Sequence, residues 1–362
     1  MTKKLLMTSA LVASMSGAAW AEGLERVTFS PAFMFEEGTY VNTSFGLVEP
    51  DLPISSFNIV GPVALPTPVD VAGDFTVVNA AFKWDVTDNF SMGIAYTNNG
   101  NGVSIDYTGA GLPIQANVRS NQFSILGKYA FDGGFSAYAG AKFVSINGAQ
   151  ILLPTGPASA QNLTHGRDSG VGLIAGVAYE KPEIAMRISL TYESDIDMSF
   201  AASGFATPGP VAVSGTTTAS IGDAITLEFQ TGIAQDTLLF GSIRDSRWAD
   251  NQVVIPNLGQ ISSFEDGRSF SLGIARRISD TFAVSVSGFY DPADGCDSAS
   301  ELSPQCENKA ITVGGRFTLE NGTKISVGVT HSRRGDATTG QINGEFNDSK
   351  VNSVGVSIGR NF

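Results

Sequence analysis

The stretch Thr281-Phe282-Ala283-Val284-Ser285-Val286-Ser287-Gly288-Phe289-Tyr290-Asp291 decides the fold class. Phe282, Val284, Val286, Gly288 and Tyr290 occupy every second position, while Ala283, Ser285, Ser287 and Asp291 fall between them. Successive side chains of a strand point to opposite faces, so this segment has one apolar face and one small, polar face. Residues 323–331 repeat the pattern, with Ile325, Val327 and Val329 set against Lys324, Ser326, Gly328 and Thr330. In 185–195, Met186, Ile188, Leu190 and Tyr192 stand opposite Arg187, Ser189, Thr191, Glu193 and Asp195.

Extending this reading along the chain predicts fourteen strands, near 39–49, 74–85, 89–98, 115–131, 134–147, 166–180, 184–200, 224–234, 236–249, 267–278, 281–291, 309–319, 323–332 and 350–362. Their connections alternate in length. Six are tight: 85–88, 132–133, 181–183, 235–236, 279–280 and 320–322. Seven are long and polar: 50–73, 99–114, 148–165, 201–223, 250–266, 292–308 and 333–349. Short turns on one side, long loops on the other, an even strand number and alternating strands define an all-β, 14-stranded antiparallel transmembrane β-barrel of the outer-membrane type, with both termini in the periplasm. A soluble Greek-key protein shares the period of two but has no reason to sort its connections by length.

The ends of the chain agree. Lys3 and Lys4, an apolar run at 5–17 and Ala19-Trp20-Ala21 form the pattern of a cleaved secretory leader, 1–21. A mature chain would then comprise 22–38, a short segment before the first strand, and the barrel, 39–362. The last strand alternates Val354, Val356, Ile358 and Phe362 with Ser353, Gly355, Ser357, Gly359 and Asn361. A terminal aromatic on such a strand resembles the signal read by the barrel-assembly machinery. Trp84, Phe90, Tyr129, Phe131, Phe135, Tyr179, Trp248, Phe282 and Tyr290 lie near strand ends, where interfacial girdles belong.

Among the 362 residues, Gly (41) and Phe (23) are abundant and charged residues are sparse at 16%. The net charge of −13 disfavours nucleic acid as a partner. Acidic external loops can hold divalent cations that bridge lipopolysaccharide. Cys296 and Cys306 share one polar loop, and in an exported chain they are expected to form a local disulfide; two free thiols or a two-cysteine metal site are the alternatives.

Three stretches then point to a family. Ser30-Pro31-Ala32 is followed by Phe45-Gly46-Leu47-Val48-Glu49-Pro50-Asp51. A strand, turn and strand follow in Phe82-Lys83-Trp84-Asp85-Val86-Thr87-Asp88-Asn89-Phe90-Ser91-Met92-Gly93. A later hairpin runs from Thr226-Leu227-Glu228-Phe229 through Ala234-Gln235-Asp236-Thr237-Leu238 to Arg247-Trp248. In this order they resemble the FadL/TodX family of outer-membrane transporters for long-chain fatty acids and other hydrophobic compounds, which has Asn-Pro-Ala near the end of an N-terminal hatch. Here little precedes Ser30, so most of the hatch is missing, and the pore is either leakier or closed by its loops.

The resemblance implies passive uptake of hydrophobic small molecules across the outer membrane, without catalysis, cofactor or metal. Apolar residues in loop 50–73, among them Phe57 and Ile59, and in loop 148–165 would capture ligand or pack as a lid. The family's lateral exit through a kinked third strand falls on Asn98, Asn99 and Gly100, residue types that weaken a strand. Alternation sends Lys83, Lys128, Lys142, Arg187, Arg244 and Arg316 into the lumen. Arg187 and Arg244, with Lys142 and Lys128, are candidate partners for a ligand carboxylate; the same cations could instead pair with Glu193, Asp195 and Glu228 to hold the barrel's shape. His165, Asp168 and Ser169 invite a hydrolase reading, but a triad crowded into one junction lacks the separation such sites normally have. A general diffusion porin, a structural barrel and an outer-membrane lipase are the competing functions.

Overall fold

The computed structural model describes residues 23–59, 61–156, 159–292 and 296–362. The expected leader, 1–21, and Glu22 and Val60 lie outside the described residues. Fourteen strands form the wall: β1 Tyr40–Asp51, β2 Phe75–Asp85, β3 Phe90–Asp106, β4 Gln115–Ala130, β5 Phe135–Ile146, β6 Asp168–Lys181, β7 Met186–Glu193, β8 Ala224–Ala234, β9 Thr237–Ser246, β10 Gly267–Arg277, β11 Phe282–Asp291, β12 Asn308–Thr318, β13 Lys324–Arg334 and β14 Lys350–Asn361. Each pairs antiparallel with the next, and β14 pairs back on β1 from Tyr40–Asn361 to Asp51–Lys350. Closure pairs the first strand with the last, so the sheet has no free terminal strand, the condition for it to exist in lipid.

Side-chain alternation sets which surface meets lipid. In β7, Ile188, Leu190 and Tyr192 are 42%, 45% and 42% exposed, whereas Ser189, Thr191 and Glu193 are buried. The same order holds in β13, with Val327 and Val329 out and Ser326 and Thr330 in, and in β14, with Val354, Val356 and Ile358 out. The barrel is therefore apolar outside and polar inside, the reverse of a soluble fold. Aromatic pairs gather at the short-turn end: Phe82 with Trp84, Tyr129 with Phe131, Phe135 with Tyr179 and Phe282 with Phe317, with centroids 4.5–5.2 Å apart. They form a girdle at the periplasmic boundary. Trp248 does not join it. Its strand ends at Ser246, so the chain beyond turns inward and the indole is buried at 1% exposure against Phe264.

The strand count and the side of every long connection match the sequence reading, but five long connections contain strands of their own. Pro53–Asn58 and Pro62–Asp70 pair with each other, and the first also pairs with Glu345–Phe346, in a small external sheet. Gln150–Gly156 with Ser159–His165, and Ile196–Ala206 with Val211–Ile221, form hairpins that pair with one another above the wall. The strand expected at 184–200 breaks at Ser194 and Asp195, and Asp195 is exposed rather than lumenal because the alternation restarts there. β3 runs on to Asp106, eight residues past its expected end. Cys296 and Cys306 are joined, with Cα atoms 5.1 Å apart, and tie the loop between β11 and β12. Replacing both by serine should cost about 2–3 kcal/mol locally. External protease should then cut this loop faster while the barrel keeps its resistance to heat; unchanged cleavage would show that the bridge constrains nothing.

Candidate functional site: a plugged lumen beside a broken wall

The segment before β1 lies inside the barrel. Ser30 caps a single 3-10 turn, Pro31–Phe35, with its hydroxyl accepting from Ala32 N at 3.2 Å. Phe33, Met34 and Phe35 are buried and pack with Tyr40, Leu126, Tyr138, Ile174 and Ala178 of the wall. The Phe35 ring meets Tyr138 edge-on at 5.8 Å. This turn sits in the periplasmic half of the lumen, against one part of the wall.

Polar anchors hold it at three levels. Glu36 accepts from Lys324 Nζ at 3.1 Å, and the Ser30 hydroxyl donates to Glu228 Oε1 at 2.7 Å. Farther along the lumen, Arg244 Nη2 and Nε donate to the two oxygens of Glu25 at 2.8 and 3.2 Å, a bidentate pair. Arg244 Nη1 reaches Glu193 at 3.0 Å and Thr226 at 2.8 Å, and Lys142 Nζ reaches Glu193 at 3.3 Å. Glu25, Glu193, Arg244 and Lys142 are all less than one-tenth exposed.

The expected lumenal cations are all buried, and the structure shows what each faces. Arg244 and Lys142 join the four-member cluster. Arg187 and Lys128 lie over the Phe35 ring at 4.7 and 4.5 Å. Lys83 holds Asp85 and donates to the Gly38 carbonyl, and Arg316 donates to Ser326. Sequence periodicity found these cations; it gave no sign that Glu25, from the non-strand segment, meets them.

Next to the cluster the wall is broken. In the β3–β4 ladder, Asn98 pairs with Asn121 and Gly102 with Arg119, so three residues of β3 oppose Ser120 alone. This is an enlarged bulge. Asn99 has φ 56° and Gly102 φ 154°. A Cβ on Gly102 would lie 2.3 Å from the Val118 carbonyl oxygen, so only glycine fits. The Ser120 hydroxyl stitches the bulge, accepting from Asn101 N at 2.8 Å and donating to Asn101 O at 2.6 Å. On the other flank, the β2–β3 ladder stops at Val78–Asn98 and resumes only as an isolated bridge, Ala72–Ile105. Across the interval, Asn99 Nδ2 donates to the Thr76 carbonyl at 2.8 Å.

The inserted segment backs this interval from within. Arg26 N and Val27 N donate to Gly100 O at 2.8 and 3.1 Å, and Gly102 N donates to Leu24 O at 2.8 Å. The Arg26 guanidinium covers Phe75 at 4.1 Å, and Val27 packs beside Phe75 and Val77. Gly23, at φ 70°, lies flat against Trp248, whose ring a Cβ would enter at 2.3 Å. Asn98, Asn99 and Gly100, singled out by the family resemblance and by their strand-weakening types, lie at the interruption, with Gly100 the contact to the plug.

On the external side an apolar cluster joins inward residues of β3 and β5, Val103, Ile105, Val144 and Ile146, to loop residues Ile54, Leu302, Ile342 and Phe346. Tyr107 meets Phe346 edge-on at 6.1 Å and donates to the Glu301 carbonyl at 2.9 Å. Of the expected capture residues, Phe57 is half-buried against this cluster and Ile59 is 40% exposed at the hairpin tip. The His165 imidazole bonds Thr217 Oγ1 at 2.8 Å, and burial pushes its pKa below the usual histidine value. Asp168 accepts from Ser199 N, and Ser169 is exposed.

A closed, lipid-facing barrel of fourteen strands, with its own N-terminal segment inside and an interruption beside that segment, is an outer-membrane β-barrel. Several solved structures share this fold. A Pseudomonas aeruginosa FadL homologue superimposes with a TM-score of 0.74 at 12% identity, covering 91% of this chain and 92% of that one. The toluene transporter TbuX of Ralstonia pickettii gives 0.66 at 11% identity over 95% and 96%. The toluene transporter TodX of Pseudomonas putida gives 0.65 at 13% over 90% of each. No family model and no curated protein matches the sequence.

Proposed function

We propose that this barrel passively carries hydrophobic small molecules across the outer membrane. Ligand enters through the external loops and leaves sideways at the interruption between β2 and β3. The observation that carries the reading is the broken ladder at Asn98–Gly102 held shut by the chain's own N-terminal segment. A polar solute needs a continuous wet pore, whereas an apolar one gains by leaving into lipid. Apolar packing around Phe33, Met34 and Phe35 puts a hydrophobic obstacle inside the lumen, which supports a route for apolar rather than polar solutes. Phe57 and Ile59 serve as first contacts at the loop surface. Toluene is the compound named for two of the structurally similar channels.

The reading makes outer-membrane lipid and lipopolysaccharide the surroundings of the barrel, and the assembly machinery the partner of its last strand. Phe362 is 71% exposed on the lipid side. The work is transport and not hydrolysis: His165, Asp168 and Ser169 each engage or face different surroundings. In a strain lacking the gene, a plasmid copy should restore uptake of a labelled apolar compound, and liposomes carrying the barrel should swell slowly in sugars. Rapid sugar entry would make it a general porin.

A further inference from the structure

We propose that Glu25 is a specificity-determining residue that reserves the lumen for uncharged hydrophobic molecules. It does so by placing its own carboxylate on the guanidinium that an acidic ligand would require. The inference rests on the transport reading and narrows its substrate class.

The geometry is that of an occupied anion site. All three guanidinium nitrogens of Arg244 are engaged: Nε and Nη2 by Glu25, Nη1 by Glu193 and Thr226. Lys142 adds a second cation to Glu193, so two cations meet two carboxylates and the cluster is neutral. Two further lumenal cations, Lys83 and Lys324, are paired with Asp85 and Glu36. Arg187 and Lys128 are covered on one side by Phe35. Glu193 belongs to the wall, but Glu25 arrives with the inserted segment. It is therefore an internal stand-in for a ligand headgroup.

An entering carboxylate must expel Glu25 or share Arg244 with two anions in a water-poor site. Either way one buried negative charge loses its partner. An uncharged molecule of the same length meets no such penalty, so discrimination arises from repulsion built into the site and not from a better fit.

The test compares labelled 1-decanol and decanoate at neutral pH, binding to the full chain in nanodiscs, with empty nanodiscs subtracting lipid partition. The native chain should bind the alcohol about tenfold more tightly than the acid, ~1.4 kcal/mol. Glu25→Gln keeps one acceptor oxygen for Arg244 but loses the second, leaves the cluster with a net positive charge, and should shift the ratio toward the acid by a similar factor. Glu25→Asp, which retains the carboxylate, should keep the native preference. Equal binding of both compounds by the native chain would overturn the inference and leave the transport reading intact. So would an unchanged ratio in a folded Glu25→Gln protein. Binding of neither compound by the native chain would overturn the transport reading itself and the inference with it.

Discussion

Replacing Arg244 with alanine should turn a closed barrel into a leaky, less stable one. The substitution strands two buried carboxylates, Glu25 and Glu193, with only Lys142 between them. Removing one partner of a buried ion pair costs about 3–5 kcal/mol, because the remaining charge stays away from water. Water must enter to solvate Glu25, or the inserted segment must withdraw. Withdrawal also breaks the Arg26 and Val27 bonds to Gly100 and lifts Gly23 from Trp248. Planar-bilayer recordings should therefore show new ion conductance, and the heat needed to unfold the barrel on a gel should fall. The exposed pair Lys309–Glu307 provides the contrast, since Lys309 is 63% exposed and Lys309→Ala should change neither property measurably. If Arg244→Ala left conductance and heat resistance at native values, the cluster would not be what anchors the plug.

Deleting Asn99 and Gly100 should abolish hydrophobic uptake while the barrel still assembles. With two residues removed, Asn98, Asn101 and Gly102 can face Asn121, Ser120 and Arg119 one to one, so the β3–β4 ladder becomes continuous. β3 can then also approach β2 where the pairs between Val78–Asn98 and Ala72–Ile105 are missing. A regular ladder is favoured over a bulge that requires positive φ at Asn99 and a glycine at Gly102. Uptake of an apolar label should fall to the level of cells without the gene, with heat-modifiable barrel still present in the outer membrane. The deletion also removes the Gly100 carbonyl that holds the plug, so sugar permeability is measured in parallel. Apolar uptake at the native rate through a repaired wall would exclude the lateral route.

Strand positions were readable because a membrane barrel imposes one rule on every strand. Ile188, Leu190 and Tyr192 face lipid and Ser189, Thr191 and Glu193 face the lumen, and the period of two is visible wherever both environments persist. The rule failed where the environments changed. Above the bilayer, β3 continues to Asp106 and the hairpin Ile196–Ala206 with Val211–Ile221 forms, because backbone groups there gain from pairing although no lipid enforces the alternation. Trp248 resembled an interfacial aromatic by its place in the chain, but it had already left its strand and turned inward. Asn98, Asn99 and Gly100 were legible as a weak point because the family resemblance pointed to the third strand and their residue types weaken one, and they sit at the interruption; Ser120, which stitches the bulge from the neighbouring strand, carried no signal.

By itself the sequence determined the closed fourteen-stranded wall, the side of its long connections and which cations point inward, since all of these follow from local alternation and turn chemistry. The tertiary structure alone decided that Glu25 meets Arg244, that Ser30 meets Glu228 and that the inserted segment backs the bulge at Gly100. Those contacts join residues 219, 198 and about 75 positions apart in the chain. Their existence depends on a short non-strand segment folding back into a cavity that exists only once the barrel has closed, and no local pattern encodes that return.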